Sequence, residues 1–516
     1  MEGFTQYPRN LAYNIKSLES FSKVSVKLNG DRTSCSRGDS IRVKLPSNSI
    51  IDLRTFAMFA EGSCTNTGNN LHFPRLTASL VKCLNVFVNG TLVERIDNYN
   101  ILYNRIFDMD GGGVDQVAKR HLEIADPSVR YSVAGDTIPA DVFAGAVDAG
   151  GAQTFRAGTP LITTDGATSA DTKRKLAITN WLGILSSAST PCIDTSDCGV
   201  VEIQLDFENE KILFAGSATL NTAPVLSNAS WSLDKIYFTI NKIQFNNALY
   251  YNLKSSRLLS SGLQIGYQTY ISSKASSVAK DGSVNVSCTV NSTSLDQIIC
   301  CFNPEVPNIN PLMLYNSNSA EDSLCFQQVI SGYDKNVVAI DTGLVNTFIA
   351  RTLNVTKIGE VVRVKGQYSN APEHTSYGDA FNQSYFFKSD AVGLGTSAIE
   401  INNTPLHQSP LEDAQIYNES LIALGNLQND MGVGVYQGIR SLNDWLKYFF
   451  VHIVSLENIQ SGDFYKSGLD GKSSSLNIVW KLAYATTDTM RQTPYIFAKT
   501  TRILQINEGN SVIVIV

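Results

Sequence analysis

The chain has 516 residues, of which 43% are hydrophobic and 17% charged, and it carries a formal net charge of −6. A chain of this length suggests about two to four structural units with ample apolar surface for their cores. Its many Gly, Ser, Thr and Asn residues favour a strand-and-loop protein over a helical one. A negative balance without a basic stripe argues against a protein whose main task is to coat nucleic acid.

The N-terminal residues do not have the pattern of a secretory signal, because Glu2 is acidic and no apolar core follows it. The longest apolar run, "WLKYFFVHIV" near Trp445, contains Lys447 and is far shorter than the roughly 18 to 20 residues of a membrane span. The nine scattered cysteines fit buried, reduced thiols better than a disulfide framework or a zinc site. We therefore expect synthesis in the cytosol and no secretion.

Two segments near the N-terminus alternate apolar and polar residues with the two-residue period of a half-buried strand. They are "SKVSVKL", which begins at Ser22, and "SIRVKL", which begins at Ser40. The connection between them contains Arg37-Gly38-Asp39, a tripeptide that many adhesive proteins present to cell-surface receptors. Gly and Asp are also residues that tight turns prefer. We therefore predict a hairpin loop here and keep receptor attachment as a minor alternative.

The strand pattern continues to about residue 216. The runs "CLNVFV" and "TLVERI" meet at Asn89-Gly90, which is the strongest hairpin signal in the chain. The following "NYNILYNRIFDM" has the spacing of a short amphipathic helix. From about residue 111 to 175 the chain is rich in Gly, Ala, Asp and Thr and is too long for an ordinary connection, so we predict a large insertion.

A boundary that contains Ser, Asn and Pro follows, and the strand pattern then starts again with "DKIYFTI". A second irregular region runs from about residue 303 to 413, and the chain ends on three strands, the last of them "SVIVIV". The pattern predicts an all-β protein in two halves. The predicted units are an arm at 1–20, a first unit at 21–227 with its insertion at about 111–175, and a second unit at 228–516 with its insertion at about 303–413.

No motif in the chain defines an active site. The run "DGKSS" at 470–474 ends like a phosphate-binding loop, but Lys466 stands where that loop needs its first Gly. There is no Gly-x-Ser-x-Gly elbow, and the five histidines are isolated in the sequence. We therefore assign no catalytic, cofactor-binding or metal-binding residue. A pair of catalytic carboxylates that are distant in the sequence stays open as an alternative.

The order of several segments resembles the double jelly-roll major capsid proteins. One of them is "FPRLTASLVKCLNVFVNGTLVERIDNYNILYNRIFDM", with a proline-led strand, an Asn-Gly hairpin and a Tyr-containing helix. Three further stretches, which begin at Trp181, Ser232 and Tyr465, are also similar to that family. The resemblance covers essentially the whole chain and is strongest to polinton-like viruses and virophages, within the lineage of adenoviruses and membrane-containing tailless phages. The individual motifs are loose, and their order is the specific part.

The resemblance implies two tandem eight-stranded jelly rolls, a double jelly roll, with short helices and long loop insertions. It implies a major capsid protein that forms pseudo-hexagonal homotrimers in the icosahedral capsid of a dsDNA virus, so its location would be the virion. Its partners would be further copies of itself, then penton and minor capsid or cement proteins, with no sequence-specific binding of nucleic acid. Residues 1–20 would form an arm on the inner side, and "SVIVIV" would need to be covered by a partner strand or subunit. An internal membrane is left open.

Two other functions stay open at this point. A carbohydrate-binding or carbohydrate-cleaving β-sandwich surface protein would have the same strand content, but it would act without forming trimers. A minor vertex protein usually needs only one barrel, so the strand pattern that starts again near residue 228 argues against it. None of these readings assigns a cofactor.

Overall fold

The computed structural model describes most of the strand-forming parts of the chain. The described residues are 21–67, 70–74, 76–110, 123, 130–131, 156–157, 174–190, 192–216, 227–245, 255–256, 262–304, 385–424, 442, 445–446, 449–457, 468–471, 475–486, 488–507, 509 and 511–515. The predicted arm at 1–20 and most of the first predicted insertion lie outside the described residues.

The first half of the chain contains two main sheets with antiparallel pairing throughout. One has six strands, with the order β1-β14-β4-β10 and with β2 and β11 pairing to β14 and β4, and the other has four strands in the order β3-β12-β6-β7. Shorter strands pair at their margins. The strands are β1 Phe21–Leu28, β2 Cys35–Ser36, β3 Ser40–Lys44, β4 Ile50–Thr67, β5 Asn70–His72, β6 Val81–Val88, β7 Thr91–Asp97, β8 Arg130–Tyr131, β9 Arg156–Ala157, β10 Arg174–Ile178, β11 Cys192–Asp194, β12 Val201–Phe207, β13 Phe214–Gly216 and β14 Ser227–Phe245.

The second half repeats the same arrangement, with sheets in the orders β15-β23-β18-β21 and β17-β22-β19-β20. The repeated strand order is that of an eight-stranded jelly roll, so the predicted all-β fold of two tandem jelly rolls is confirmed. The strands are β15 Leu263–Lys274, β16 Val278–Lys280, β17 Ser283–Val290, β18 Leu295–Pro304, β19 Leu394–Ile401, β20 Thr404–Pro405, β21 Val451–Ser455, β22 Leu476–Tyr484, β23 Asp488–Asn507 and β24 Ser511–Ile515.

Short helices connect the strands. The predicted helix after the Asn-Gly hairpin is present as α1. The α-helices are α1 Tyr99–Asp110, α2 Ile184–Ser187, α3 Thr195–Cys198 and α4 Asp413–Ala423, and the 3₁₀ helices are Thr77–Leu80, Glu210–Ile212 and Tyr385–Phe387. α4 packs on the second jelly roll, where the side-chain amide of Gln297 donates a hydrogen bond to the Ala423 carbonyl oxygen at 2.9 Å.

The assignment of "DKIYFTI" to the start of the second unit is wrong. This segment lies in β14, which pairs with β4 and β1 in the first sheet, for example Phe238 with Met58 and with Leu28. A predicted boundary after residue 227 would cut this strand from its sheet. Local alternation identifies a strand but not its partner, and β14 is the last strand of the first jelly roll rather than the first of the second.

The range predicted for the second insertion, about 303–413, includes two strands of the second jelly roll and is therefore too long. Residues 394–405, inside its predicted range, form β19 and β20 of the second jelly roll. The buried face of β19 begins with Ser397 and continues with Ile399 and Ile401. A polar residue on that face weakens the apolar alternation from which a strand is predicted.

The connections in the first jelly roll meet at its two ends. At one end, the Gly38 N–H donates to the Glu208 carbonyl oxygen at 3.3 Å, and the Glu208 N–H donates to the Leu80 carbonyl oxygen at 2.9 Å. α1 begins directly after β7 at this end, and the long connection to β10 follows it. We call this the insertion end. At the opposite, basal end, the Asn89 N–H donates to the Val200 carbonyl oxygen at 2.8 Å.

Candidate functional site: junction and free edges

The first jelly roll covers the outer edge of β15 with a short segment at 183–189. The Ser189 N–H donates to the Gly266 carbonyl oxygen at 2.7 Å, and the Gly266 N–H donates to Ser189 Oγ at 3.0 Å. Two residues further along β15, the Gln268 N–H donates to Ser187 Oγ at 2.9 Å. Ser187 Oγ in turn donates to the Gln268 carbonyl oxygen at 3.0 Å. The serines therefore satisfy a strand edge that would otherwise be open.

A second set of contacts joins β7 of the first jelly roll to β15. The Tyr267 hydroxyl donates to the Val93 carbonyl oxygen at 2.8 Å, and the Tyr267 side chain is fully buried. Burial raises the pKa of Tyr267 well above its usual range, so the phenol stays neutral and remains a donor. Nearer the insertion end, Asn98 Nδ2 donates to Ser272 Oγ at 2.9 Å.

Glu94 lies at the centre of this junction and is fully buried. Its two carboxylate oxygens accept from the Ile184 N–H at 3.0 and 3.2 Å, at the start of α2. Burial raises the pKa of Glu94 to about 7, while the Ile184 N–H, the Thr269 hydroxyl and the Arg502 charge act in the opposite direction. The carboxylate thus connects β7 and α2 of the first jelly roll to β15 and β23 of the second.

At the insertion end, the first jelly roll reaches the second through two cations. Arg105 of α1 is fully buried, and its guanidinium donates to the Phe387 carbonyl oxygen. The Lys211 ammonium lies 4.7 Å from the centre of the Phe386 ring, within the range of a cation–π contact. Phe386 and Phe387 lie in the segment that leads into β19, which begins at Leu394, so these contacts align the insertion ends of the two jelly rolls on the same side.

The second jelly roll has a buried ionic cluster at its own insertion end. Asp390 Oδ1 lies 2.6 Å from Lys280 Nζ, and Asp390 Oδ2 lies 3.2 Å from Lys388 Nζ. Burial acts to raise the pKa of Asp390, but the charges of Lys388 and Lys280 outweigh it and hold this pKa below its usual range. The cluster fixes the start of the segment that leads into β19, and its role is structural.

Arg37-Gly38-Asp39 forms the predicted turn. The Asp39 N–H donates to the Ser36 carbonyl oxygen at 3.1 Å, and Asp39 Oδ2 accepts from the Ser36 N–H at 2.7 Å. These hydrogen bonds from Ser36 are the main reason that the pKa of Asp39 lies below its usual range. Arg37 forms an ion pair with Glu210 at 3.1 Å. Both charged side chains of the tripeptide therefore have partners within the chain.

One serine–histidine pair has the composition of a catalytic site but not its accessibility. Ser397 Oγ lies 2.9 Å from His452 Nδ1 and accepts from Trp480 Nε1 at 2.8 Å, and His452 is fully buried. Burial lowers the pKa of His452 to about 3, so the imidazole is neutral in the core. His407, which is isolated in the sequence, lies 2.7 Å from Glu419 Oε1 through Nε2.

The burial of the described cysteines agrees with the prediction of mostly buried thiols. Among the described residues, seven cysteines are free, and all of these except Cys192 are buried. Within the same residues, no group of three or more His, Cys, Asp or Glu side chains could hold a metal ion. No helix in the described part of the chain is long and apolar enough to cross a membrane.

Several strands pair along one edge only in the described part of the chain, and β1 and β24 are two of them. β1 pairs only with β14, and its Val24 is 51% exposed. The terminal β24, for which a partner strand was expected, pairs along one edge with β23, from Ser511 opposite Asn507 to Ile515 opposite Ile503. Its Ile513 is 48% exposed. The open edges of β1 and β24 and the junction between the two jelly rolls are the surfaces that bear on the function of the chain.

The structure is similar to those of viral capsid proteins over nearly its whole length. The Faustovirus major capsid protein matches 98% of this chain and 93% of its own, with 10% identity and a TM-score of 0.52. PBCV-1 VP54, fitted into a reconstruction of the virophage Sputnik, matches 96% of both chains, with 9% identity and a TM-score of 0.51. No protein-family model and no curated protein sequence matches the chain. At these identities the likeness establishes the fold: the chain is a double jelly-roll protein of the type found in viral major capsid proteins.

Proposed function

We propose that this chain is a viral major capsid protein that assembles as pseudo-hexagonal homotrimers into the icosahedral shell of a dsDNA virus. The observation that carries the proposal is the pair of jelly rolls with the same strand order, held side by side with their insertion ends aligned. The likeness to the Faustovirus major capsid protein supports it, since the likeness extends over both jelly rolls.

A double domain of this kind suits a hexagonal lattice for a geometric reason. Three copies of a chain with two similar domains present six similar walls around one axis. Closed rings of this kind arise when a head-to-tail contact is repeated by a rotation that closes. One type of chain can then occupy positions with six neighbours, while the protein uses no catalysis and its activity is self-association.

The domain limits follow from the strand pairing. We propose a first jelly roll from residue 21 to 245 and a second from residue 263 to 515, because β14 completes the first and β15 opens the second. β1 starts at Phe21 and runs towards the Arg37-Gly38-Asp39 turn at the insertion end, so its start lies at the basal end. Residues 1–20 therefore join the protein at the basal end, which supports an arm on the inner side of the shell.

The partners proposed for the chain are further copies of itself, then penton and minor capsid or cement proteins in the virion. The connections at the insertion end would face outwards, away from the arm. The net charge of −6 supports a shell protein without sequence-specific binding of nucleic acid.

The proposal is tested by the molar mass of the purified full-length chain, measured by light scattering after size-exclusion chromatography. A capsid subunit of this type gives a species with three times the chain mass. A carbohydrate-binding β-sandwich protein, the alternative function, gives a monomer that binds glycans in an array. A chain that remains a monomer at every concentration measured would contradict the capsid proposal.

A further inference from the structure

β1 is an edge strand with an incompletely covered apolar face. Val26 lies opposite Ile240 in β14, and Ile240 is fully buried, so the side chains of Val24, Val26 and Leu28 point towards the interior of the jelly roll. Val24 is nevertheless 51% exposed, and neither Val26 nor Leu28 is fully buried. Charged Lys23 and Lys27 lie on the other face of the strand.

β15 has the same place in the second jelly roll, and there the edge is covered. Its inward-facing Ile265 is 6% exposed and Tyr267 is fully buried. The cover comes from the first jelly roll of the same chain, through Val93 in β7 and the serines of the 183–189 segment. The two equivalent edges thus differ because one has a neighbouring jelly roll and the other does not.

We propose that in the trimer the free edge of β1 is covered by the second jelly roll of a neighbouring copy, in the manner of the junction within each chain. This inference rests on the proposed function, since it requires a closed ring of six jelly rolls. Such a ring repeats one kind of contact six times, three times within chains and three times between them.

The strand order identifies the surface that would meet β1. The second jelly roll's equivalent of β7 is β20, since both end their four-stranded sheets, and Thr404 and Pro405 of β20 are exposed. The edge continues beyond β20, because the Leu406 and Leu411 N–H groups donate to β19. The 183–189 segment corresponds to the connection between β21 and β22, in which Leu469 is 40% exposed.

The charges of the two surfaces are complementary. On the outer face of β1, Lys23 pairs with Asp52 at 3.4 Å and Lys27 lies 4.3 Å from the centre of the Tyr237 ring, and both side chains remain exposed. Glu412 and Asp413 follow the β20 edge at the start of α4. Opposite charges of this kind favour a heterologous contact between copies and fix its register. The same chain's residues 1–20 are the competing occupant of the β1 edge, and that occupant would cover β1 in a monomer as well.

The test compares Val24→Glu with Val200→Glu in the full-length chain. Val200 is 44% exposed at the basal end, away from the β1 edge, so the two variants make the same change at similar exposure. Sedimentation velocity is measured over a range of concentrations. We expect a trimer for the unmodified chain and for Val200→Glu, and at least a tenfold weaker association for Val24→Glu.

Two further measurements test the interface even if Val24→Glu fails to fold. Val24→Ser removes the apolar contact without adding a charge and should also weaken association. Amide hydrogen exchange should be slower across residues 21–28 in the unmodified trimer than in the diluted monomer, in which β1 keeps only its hydrogen bonds to β14.

A trimer that Val24→Glu or Val24→Ser leaves unchanged would overturn the proposed interface but not the proposed function. Equal protection of residues 21–28 in monomer and trimer would also overturn it, in favour of the chain's own N-terminal segment. An unmodified chain that never forms trimers would instead contradict the proposed function.

Discussion

The Tyr267 hydroxyl and the Val93 carbonyl oxygen lie 2.8 Å apart and join the two jelly rolls by a buried hydrogen bond. The donor belongs to the edge strand of one domain and the acceptor to the edge strand of the other. A buried carbonyl group needs such a donor, because an unpaired polar group in the interior costs free energy. The bond therefore lies at the boundary between the two hydrophobic cores, where each jelly roll supplies the hydrogen-bond partner of a polar group in the other.

Replacing Tyr267 with Phe should reduce the free energy of unfolding by about 1 to 3 kcal/mol, since the Val93 carbonyl would lose its buried donor. The measurement is urea-induced unfolding followed by fluorescence. Tyr237→Phe is the matched control, because that ring stacks on Phe59 with centroids 5.2 Å apart and would keep this contact. Equal effects of the two substitutions would contradict the role given to the hydroxyl of Tyr267.

The buried Glu94 carboxyl should make stability fall as the pH rises from about 5 to 8. Its pKa is about 7 in the folded chain, above the pKa of about 4.3 for an exposed Glu. The folded chain therefore binds more protons in this window, and each unit of difference is equivalent to about 1.4 kcal/mol. The Arg502 charge limits the effect, while Tyr99 and Tyr267, which also face Glu94, stay neutral.

The control for this pH dependence is Glu94→Gln, which keeps the shape of the side chain and removes its titration. Urea midpoints at pH 5.5 and pH 8 are compared for both proteins. The difference between the two pH values should shrink in the variant. An unchanged difference would mean that other groups produce it.

Gly183 is required by both its backbone angle and its neighbour. Its φ is +80°, and an added Cβ would overlap the Glu94 carboxylate. Gly183→Ala should therefore cost more than the about 1 to 3 kcal/mol of strain that this backbone conformation alone imposes on a residue with a Cβ. Gly199→Ala is the matched control, since Gly199 has nearly the same backbone angles, φ 73° and ψ −146° against φ 80° and ψ −153° for Gly183, and the atoms nearest to an added Cβ belong to the exposed side chain of Asn89. Thermal unfolding should show the larger loss for Gly183→Ala, and equal losses would contradict the close approach.

The Lys280–Asp390–Lys388 cluster should be sensitive to the loss of its carboxylate. Asp390→Asn should reduce the free energy of unfolding by about 3 kcal/mol or more, because two buried ammonium groups would lose a charged partner. Glu400→Gln removes the carboxylate charge from the 2.6 Å pair with Lys481, whose side chain is 44% exposed, and should cost less than about 1 kcal/mol. If chemical denaturation shows equal losses of unfolding free energy for Asp390→Asn and Glu400→Gln, the buried cluster does not contribute more than an exposed ion pair.

The Arg37-Gly38-Asp39 turn should not act in attachment. Asp39→Glu changes the length of the side chain that receptors of the tripeptide would bind, and Arg37 and Asp39 already have partners in the chain. Particles with Asp39→Glu should bind host cells as well as unmodified particles do. A clear loss of cell binding, with particle yield unchanged, would revive the adhesive alternative.

Strands with strict alternation could be predicted from the sequence. In β12, Val201, Ile203 and Leu205 are buried while the residues between them are partly exposed, as the pattern "GVVEIQLDF" indicates. Two features of β14 and β19 could not be predicted. The partner of β14 depends on pairing across more than 150 residues, from Phe238 to Met58. In β19, the inward-facing Ser397 interrupts the apolar alternation, so the sequence pattern does not reveal the strand.

The junction could not be predicted either, although its residues are ordinary. Val93 and Glu94 are consecutive and both buried, because the pairing of β6 with β7 shifts register between Val86 and Phe87. Glu94 lies on the same face as the buried Ile96, two residues further on, and the bulge adds Val93 to that face while Leu92 is exposed. Ser187 and Ser189 lie about 80 residues from Gly266 and Gln268 in the sequence, and serines carry no signal for a strand edge.

The most direct test of the central claim is negative-stain electron microscopy of the purified chain. The double jelly-roll capsid account predicts trimers with a hexagonal outline, in which six similar densities surround one axis. Isolated elongated particles with two lobes, at concentrations where light scattering shows no larger species, would contradict it.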